Sequence, residues 1–336
     1  MAPDGIPLDG RNVLDDPAME RVLALQAKVK ELERMKRALQ RDRDDLLVEF
    51  IDLRDAREVP RSPTTPRPHD PVELVRVVCG DLHGMRMDAS AVDALLKDIH
   101  TIDPDEVILL GDWLECGGWL SKHHVIGYVA LADYSYQEDV KAANWVLDQI
   151  QAVAPHATFT MLEGNHEQRI ERWAVDQTQS HGRDADMLMR AFGPAAVLRL
   201  EDRGITYIRR ADRLTPGFPP GWLKLGKMCF VHELGKGKNA ARSAVTQSAL
   251  NVTFGHTHRA DSMLIRYPGI GVVAAHSPGC LSELQPMWRH TDPTEWNHGY
   301  DIHIVARSGR FQHIHVPIQD GESLGGDMVA RFSGQR

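Results

Sequence analysis

Residues 74–84 read LVRVVCGDLHG. A mostly apolar run breaks on Gly80, and Asp81 and His83 follow two residues apart. A short stretch rich in β-branched residues and bounded by glycine reads as a buried strand. In an extended segment the side chains at i and i+2 point the same way, so Asp81 and His83 can grip one cation. Gly80 and Gly84 let the backbone bend sharply around them.

The same break recurs along the chain. Residues 107–110 lead into Gly111-Asp112, and residues 158–162 into Gly164-Asn165-His166-Glu167. Residues 228–231 lead into His232, and residues 252–254 into Gly255-His256-Thr257-His258. One such motif is weak, because the chain has 17 histidines and a histidine beside a strand is commonly structural. The ordered set supplies Asp81, His83, Asp112, Asn165, His232, His256 and His258, each just after an apolar run. Carboxylate, amide and imidazole donors in that number suit two ions about 3.5–4 Å apart, with the two oxygens of Asp112 suited to bridging. His276, His290, His298, His303, His313 and His315 are read as surface, core or peripheral.

Helices expected at 91–100 and 137–152 alternate with the first three strands, as in βαβ units with parallel pairing. Further strands are expected at 206–209, 228–231 and 252–254, with a helix at 240–250. Residues 263–266, 272–276, 300–305 and 311–316 read as an antiparallel series. The fold class is α/β, two packed sheets flanked by helices, within a domain spanning 72–318.

Upstream, residues 17–57 read as one long helix. Its a and d series is Val22, Leu25, Val29, Leu32, Lys36, Leu39, Arg43, Leu46, Phe50 and Leu53, apolar but for Lys36 and Arg43. That spacing matches a coiled-coil seam, and Lys28 with Glu33 and Glu49 with Arg54 suit pairs across a parallel dimer. A homodimer through residues 18–54 is expected. Residues 58–71, EVPRSPTTPRPHDP, form a proline-stiffened linker. Residues 1–16 are expected to be a disordered tail, and the Gly- and Ser-rich 319–336 a flexible one.

The net charge of -8 argues against a protein held mainly by a nucleic-acid backbone, which needs a basic footprint. The four cysteines have neither zinc-ribbon spacing nor a dense secretory pattern. No apolar run approaches the ~18–20 residues that span a bilayer. The N-terminus lacks a signal-peptide core, so no membrane partner is expected and the cytoplasm is the expected location.

The ordered motifs resemble those of the calcineurin-like metallophosphoesterase superfamily, GD-x-H, GD, GNH-E/D, a lone His and G-H-x-H, over residues 74 to about 316. The resemblance implies a four-layer α/β/β/α sandwich of two mixed sheets. It implies one ion held by Asp81, His83, Asp112 and His258, and a second held by Asp112, Asn165, His232 and His256. Two divalent metal ions are expected, manganese first, with iron or zinc as other choices. A hydroxide bridging them would attack phosphorus in line. His166, beside a ligand but not one itself, is the expected general acid or charge stabiliser. Glu115 is the expected group to hold it.

The expected activity is hydrolysis of phosphate esters, phosphodiesters of nucleotides or nucleic acid ahead of monoesters. Two rivals are a DNA exo- or endonuclease working with a partner ATPase, and a non-catalytic scaffold on the same fold. Phosphoprotein phosphatases carry GD-x-x-D-R-G, whose arginine helps bind phosphate. Here Cys116 stands in that place, and a thiol offers no guanidinium clamp. Arg169 and Arg259 are the candidate substrate-binding residues. Trp119, Lys122, His123, His124, Tyr128, Tyr134 and Tyr136 form an aromatic, basic stretch that suits either nucleobase stacking or a packed cap.

Overall fold

The computed structural model describes residues 17–55, 72–121, 134–178, 182–286 and 293–333. The expected 1–16 tail, the 58–71 linker and the middle of the aromatic stretch lie outside the described residues. The chain divides into two units, Met1–His69 and Asp70–Arg336. The first contains α1 (Pro17–Asp55), a single helix of 39 residues. Proline at its first turn removes an N–H that has no helical partner anyway. Its Leu25, Val29, Leu32, Met35 and Leu39 are all exposed.

The second unit runs β1 (Val72–Cys79), α2 (Ala89–Ile102), β2 (Glu106–Leu109), α3 (Tyr136–Val153), β3 (Thr158–Leu162), α4 (Gln168–Gln177), α5 (Gly182–Phe192), α6 (Pro194–Val197) and β4 (Thr206–Ile208). It continues with β5 (Leu223–Leu225), β6 (Met228–Val231), α7 (Ala240–Ser248), β7 (Val252–Phe254), β8 (Ala260–Tyr267), β9 (Gly271–Pro278), β10 (His298–Ala306), β11 (Phe311–Ile318) and α8 (Gly325–Ser333). One sheet has the order β11-β10-β1-β2-β3-β4 and the other β5-β6-β7-β9-β8. Both are mixed: β1 to β4 are parallel and flanked by antiparallel β10, while β6-β7-β9 are parallel and flanked by antiparallel β5 and β8.

Strand alternation sorts the apolar residues into three cores. Val75, Val77 and Cys79 of β1 and Val107 and Leu109 of β2 pack with Leu95 and Ile99 of α2 and Leu147 of α3. The opposite faces, Val78, Ile108 and Leu162, meet Met228 and Phe230 of the second sheet. The far side of that sheet, with Val252, Phe254 and Ala275, packs on Ala241 and Val245 of α7. Three cores between four layers give the expected α/β/β/α sandwich.

Two expectations change. The four late strands are not one series: β8-β9 close the second sheet, while β10-β11 extend the first. The reason is burial, since Tyr300 and Ile302 of β10 join the core under α2. The 319–336 tail is not simply frayed either, because it contains α8. Asp98 of α2 is buried and accepts from Gly326 N at 2.9 Å, from the Tyr300 hydroxyl at 2.5 Å and from the Ser323 hydroxyl.

Replacing Asp98 with alanine strands a buried hydroxyl and a helix N-terminal amide. The expected cost is about 2–3 kcal/mol, read from the urea midpoint, with faster amide exchange in 323–333. Unchanged exchange there would mean that α8 is held by apolar packing alone.

Candidate metal centre

All five motifs follow strands whose C-terminal ends share one edge of the two sheets. The loops are laced to each other by backbone hydrogen bonds: Asp81 N to Gly111 O at 3.0 Å, His83 N to Asp112 O at 3.0 Å, and Gly255 N to His232 O at 2.9 Å. The Asp81 carboxylate accepts the backbone N–H of His256, at 2.9 and 3.0 Å to its two oxygens, which ties the first motif to the last.

The local backbone differs from the extended pair expected at 81 and 83. Asp81, His83, Asp112, His256 and His258 all have positive φ, between 48° and 70°. Non-glycine residues seldom adopt this left-handed region, and such strain gathers at functional sites. Each ligand side chain is therefore aimed by a turn, not by strand alternation.

The seven expected donors converge. Donor atoms of Asp81, His83 and His258 lie within 4.8 Å of one another, as do those of Asp112, His232 and His256. His83 Nε2 and His258 Nε2 are 3.0 Å apart, and His258 Nε2 is 3.4 Å from Asp81 Oδ1. Asn165 Oδ1 lies 3.0 Å from His232 Nε2 and 2.7 Å from His256 Nδ1. Asp112 Oδ1 accepts the His166 N–H at 2.8 Å, while Oδ2 lies 3.2 Å from His232 Nε2 and 4.0 Å from His83 Nε2. Asp112 thus stands between the two groups.

Outer partners settle which ring nitrogens face inward. His232 Nδ1 donates to Leu110 O at 2.9 Å, and His83 Nδ1 to Glu115 Oε2 at 2.7 Å, which turns both Nε2 atoms toward the cluster. Buried His258 Nδ1 has no partner. His83 Nε2 and His258 Nε2, 3.0 Å apart, are joined by whatever positive species sits between them, a proton or a cation. Burial opposes charge on His232 and His258, yet Asp112 and Asp81 outweigh it and push them up to about 9 and about 10. Burial would also raise Asp112, but His232, His166 and His83 hold its carboxyl well below the usual range. A field that draws protons onto buried imidazoles also favours divalent cations, so the residues fit two metal ions.

His166 Nδ1 donates to the carbonyl of Glu115 at 2.6 Å, and Nε2 accepts from Arg169 Nη2 at 2.8 Å. The Glu115 carboxylate is 3.4 Å from His166 but only 2.7 Å from His83. Glu115 therefore steadies His166 chiefly through its backbone and orients a ligand imidazole through its side chain. Burial alone would raise the Glu115 carboxyl, but His166 and His83 hold it well below the usual range. Burial likewise opposes charge on His166, while Asp112 and Glu115 raise its pKa.

Arg169 also donates to the carbonyls of Glu115 and Cys116, at 3.1 and 3.2 Å. It lines a 470 Å³ cavity with Asn165, Arg172, Arg210, Glu233 and His256. Arg259 does not line that cavity: it pairs with Glu295 at 2.8 Å and donates to Gly237 O. Of the aromatic stretch, Trp119 packs edge-on to Tyr136 and Trp173, and Tyr134 donates to Asp139 at 2.9 Å, the arrangement of a packed cap.

Three residues here escaped the sequence reading. Glu167 is fully buried and accepts the backbone N–H groups of Asp112, Trp113, Leu114 and Gly164 at 2.6–3.0 Å. Burial and Asp112 push its carboxyl up to about 7, yet four donors on two oxygens match the ionised form. Asp139, in the first turn of α3, accepts from Glu115 N and Cys116 N at 3.1 and 3.0 Å. Nothing in the sequence marks it, since its partners lie 24 and 23 residues upstream. Arg210 just follows the fourth parallel strand, and the rule that found the other motifs would have found it.

The calcineurin-like phosphoesterase profile matches residues 75–260. The chain belongs to the calcineurin-like phosphoesterase family. Among solved structures this family member is similar to YfcE, a phosphoesterase from E. coli, at 14% identity, covering 73% of this chain and 100% of that one with a TM-score of 0.32. It is also similar to Vacuolar Protein Sorting 29 from Cryptosporidium parvum, at 10% identity, 75% and 95% coverage and a TM-score of 0.35. Vps29 from Chaetomium thermophilum gives 11%, 75%, 90% and 0.34. No curated protein matches the chain.

Glu167→Gln turns an amide NH2 toward backbone donors. It should weaken Mn²⁺ binding about 10- to 100-fold, as loss of a ligand's supporting partner does, in calorimetric titration. Unchanged affinity would mean the loops hold their geometry without this carboxylate.

Proposed function

We propose that this protein is a metal-dependent phosphoesterase that cleaves phosphodiesters of nucleotides or nucleic acid ahead of monoesters. The observation that carries the reading is the convergence of seven hard and imidazole donors on two groups with Asp112 between them. Two divalent ions, manganese first and iron or zinc next, supply charge neutralisation and an acidified water when bound. Asp81, His83, Asp112 and His258 would hold one, and Asp112, Asn165, His232 and His256 the other.

The remaining residues handle the substrate. His166 sits 3.9 Å from Asp112 Oδ2, beside the cluster, and is the group to give a proton to the leaving oxygen. Arg169 holds His166 and borders the cavity, so phosphate drawing on its guanidinium would free His166 Nε2. It offers the guanidinium that Cys116 cannot. Cys116 is buried, and burial together with Asp139 and Glu167 pushes its thiol well up, which leaves it inert. The cavity's Arg169, Arg172 and Arg210 are offset by Glu171 and by Glu233, which lies 2.9 Å from Arg210. So nearly balanced a lining suits a singly charged diester better than a doubly charged monoester.

The second proposal concerns association. The exposed Leu25, Val29, Leu32 and Leu39 on a 39-residue helix support pairing of α1 with a second copy, as a parallel homodimer. Among the described residues no helix is long and apolar enough to cross a membrane. A cytoplasmic location remains part of this reading.

With added Mn²⁺, bis-p-nitrophenyl phosphate should be hydrolysed faster than p-nitrophenyl phosphate, and Asp112→Asn should bring both to background. His166→Ala should lower turnover with most metal retained. Failure of the wild type on both esters would defeat the phosphoesterase reading. The reverse preference would defeat only the diester assignment. Deleting residues 1–57 should leave hydrolysis intact and lower the mass seen by light scattering to that of a monomer. An unchanged oligomer would rule out pairing through α1.

A further inference from the structure

Away from the seven donors, a second polar cluster is buried between the sheets. β10 presents Asp301 and His303, and β11 sets His315 opposite Asp301 and His313 opposite His303. From the second sheet, His276 of β9 stacks on His313 with ring centroids 3.5 Å apart, and Phe230 of β6 stacks on His303 at 5.6 Å. Asp301 and His303 are 0% exposed. Donor atoms of Asp301, His303 and His313 all lie within 4.8 Å of one another.

Each of the three has a buried polar atom with no hydrogen-bond partner: Asp301 Oδ2, His303 Nδ1 and His313 Nε2. Unpaired buried polar atoms are rare, and one common partner would account for all three. Asp301 Oδ2 and His313 Nε2 are 2.9 Å apart without hydrogen-bond alignment. That spacing is close to the separation of about 3.3 Å that two ligands take around tetrahedral zinc. The other ends are already held. His315 Nδ1 lies 3.0 Å from Asp301 Oδ1, and His303 Nε2 lies 3.5 Å from Thr253 Oγ1. Outer partners of this kind orient metal ligands. Burial also keeps His303 well below its ordinary pKa, so it is neutral. With Nε2–H turned to Thr253, its Nδ1 is a bare lone pair. Asp301 Oδ2, His303 Nδ1 and His313 Nε2 thus gather three ligand atoms in one buried place. A water can donate only two hydrogen bonds, whereas a cation satisfies all three.

We propose that Asp301, His303 and His313 form a third metal site, mononuclear and structural, taking a divalent transition ion of the zinc type. Two imidazoles and a carboxylate are the donors such an ion prefers. Its effect is on the β10-β11 hairpin, not on turnover.

Cobalt(II) serves as the probe, with uptake counted by elemental analysis and by visible absorption. Wild type should take up three equivalents, and His313→Gln and Asp301→Asn two each. A His232→Ala/His258→Ala protein, with the seven-donor centre crippled, should still show one equivalent with the absorption of a low-symmetry site. Chelation should lower the melting temperature of wild type further than that of the His313→Gln protein, because wild type has one more ion to lose. Two equivalents in wild type, or equal uptake in wild type and both variants, overturns the proposal and leaves a water or an Asp301–His313 ion pair in the cluster. Should either variant fail to fold, the wild-type count and the crippled-centre protein decide.

Discussion

Four backbone amides converge on the single buried carboxylate of Glu167, and the geometry of the metal centre hangs on that arrangement. Three come from the loop after β2 and one from the loop after β3. The carboxylate thus fixes Asp112 relative to Asn165 with short, charge-assisted bonds. It also requires Gly164, since an added Cβ there would overlap the Asp112 carboxylate and backbone and Glu167 itself. The glycine serves close approach, not conformational freedom. Asp139 does the same for the next segment, holding the amides of Glu115 and Cys116 so that the Glu115 carboxylate reaches His83.

These clamps offset a local cost. Five of the ligands sit in the left-handed region, at roughly 1 kcal/mol or more each for residues bearing a Cβ. The lacing of one loop to the next, Asp81 to Gly111 and His256 to Asp81, is what keeps them there. The result is a cluster whose donors the protein itself holds in place, surrounded by buried carboxylates that favour positive charge. Outer partners choose which nitrogen of His83 and His232 faces inward.

Much of this was legible in the chain. Apolar runs ending in Gly-Asp, Gly-Asn-His or Gly-His located the strands and their donors, and the short apolar runs of β1 and β2 foretold buried strands. What stayed hidden depends on distances between loops. Glu167 was visible as the last residue of a motif, but not that four amides from two loops would meet on it. Asp139 and Asp98 look like ordinary helix acids until their partners, 24 and 202 residues away, are in place. Arg259 is a further case: its position beside a ligand says nothing of Glu295, with which it pairs.

The i, i+2 rule shows where such reading holds. Applied to Asp81-x-His83 it brings the two side chains together for the wrong reason, because the chain has left the strand by Asp81 and turns do the aiming. Applied to Asp301-x-His303 and His313-x-His315 it is right in mechanism, because both pairs lie within paired, extended strands. The faces of β10 then separate by parity: Tyr300 and Ile302 enter the core under α2, while Asp301 and His303 enter the layer between the sheets. That layer is apolar where Val78, Ile108 and Phe230 meet, and polar where β10 and β11 lie. A buried patch of one carboxylate and several imidazoles is costly when its polar atoms lack partners. The fold tolerates the patch only where something satisfies it, which makes histidines within strands as informative as those at strand ends.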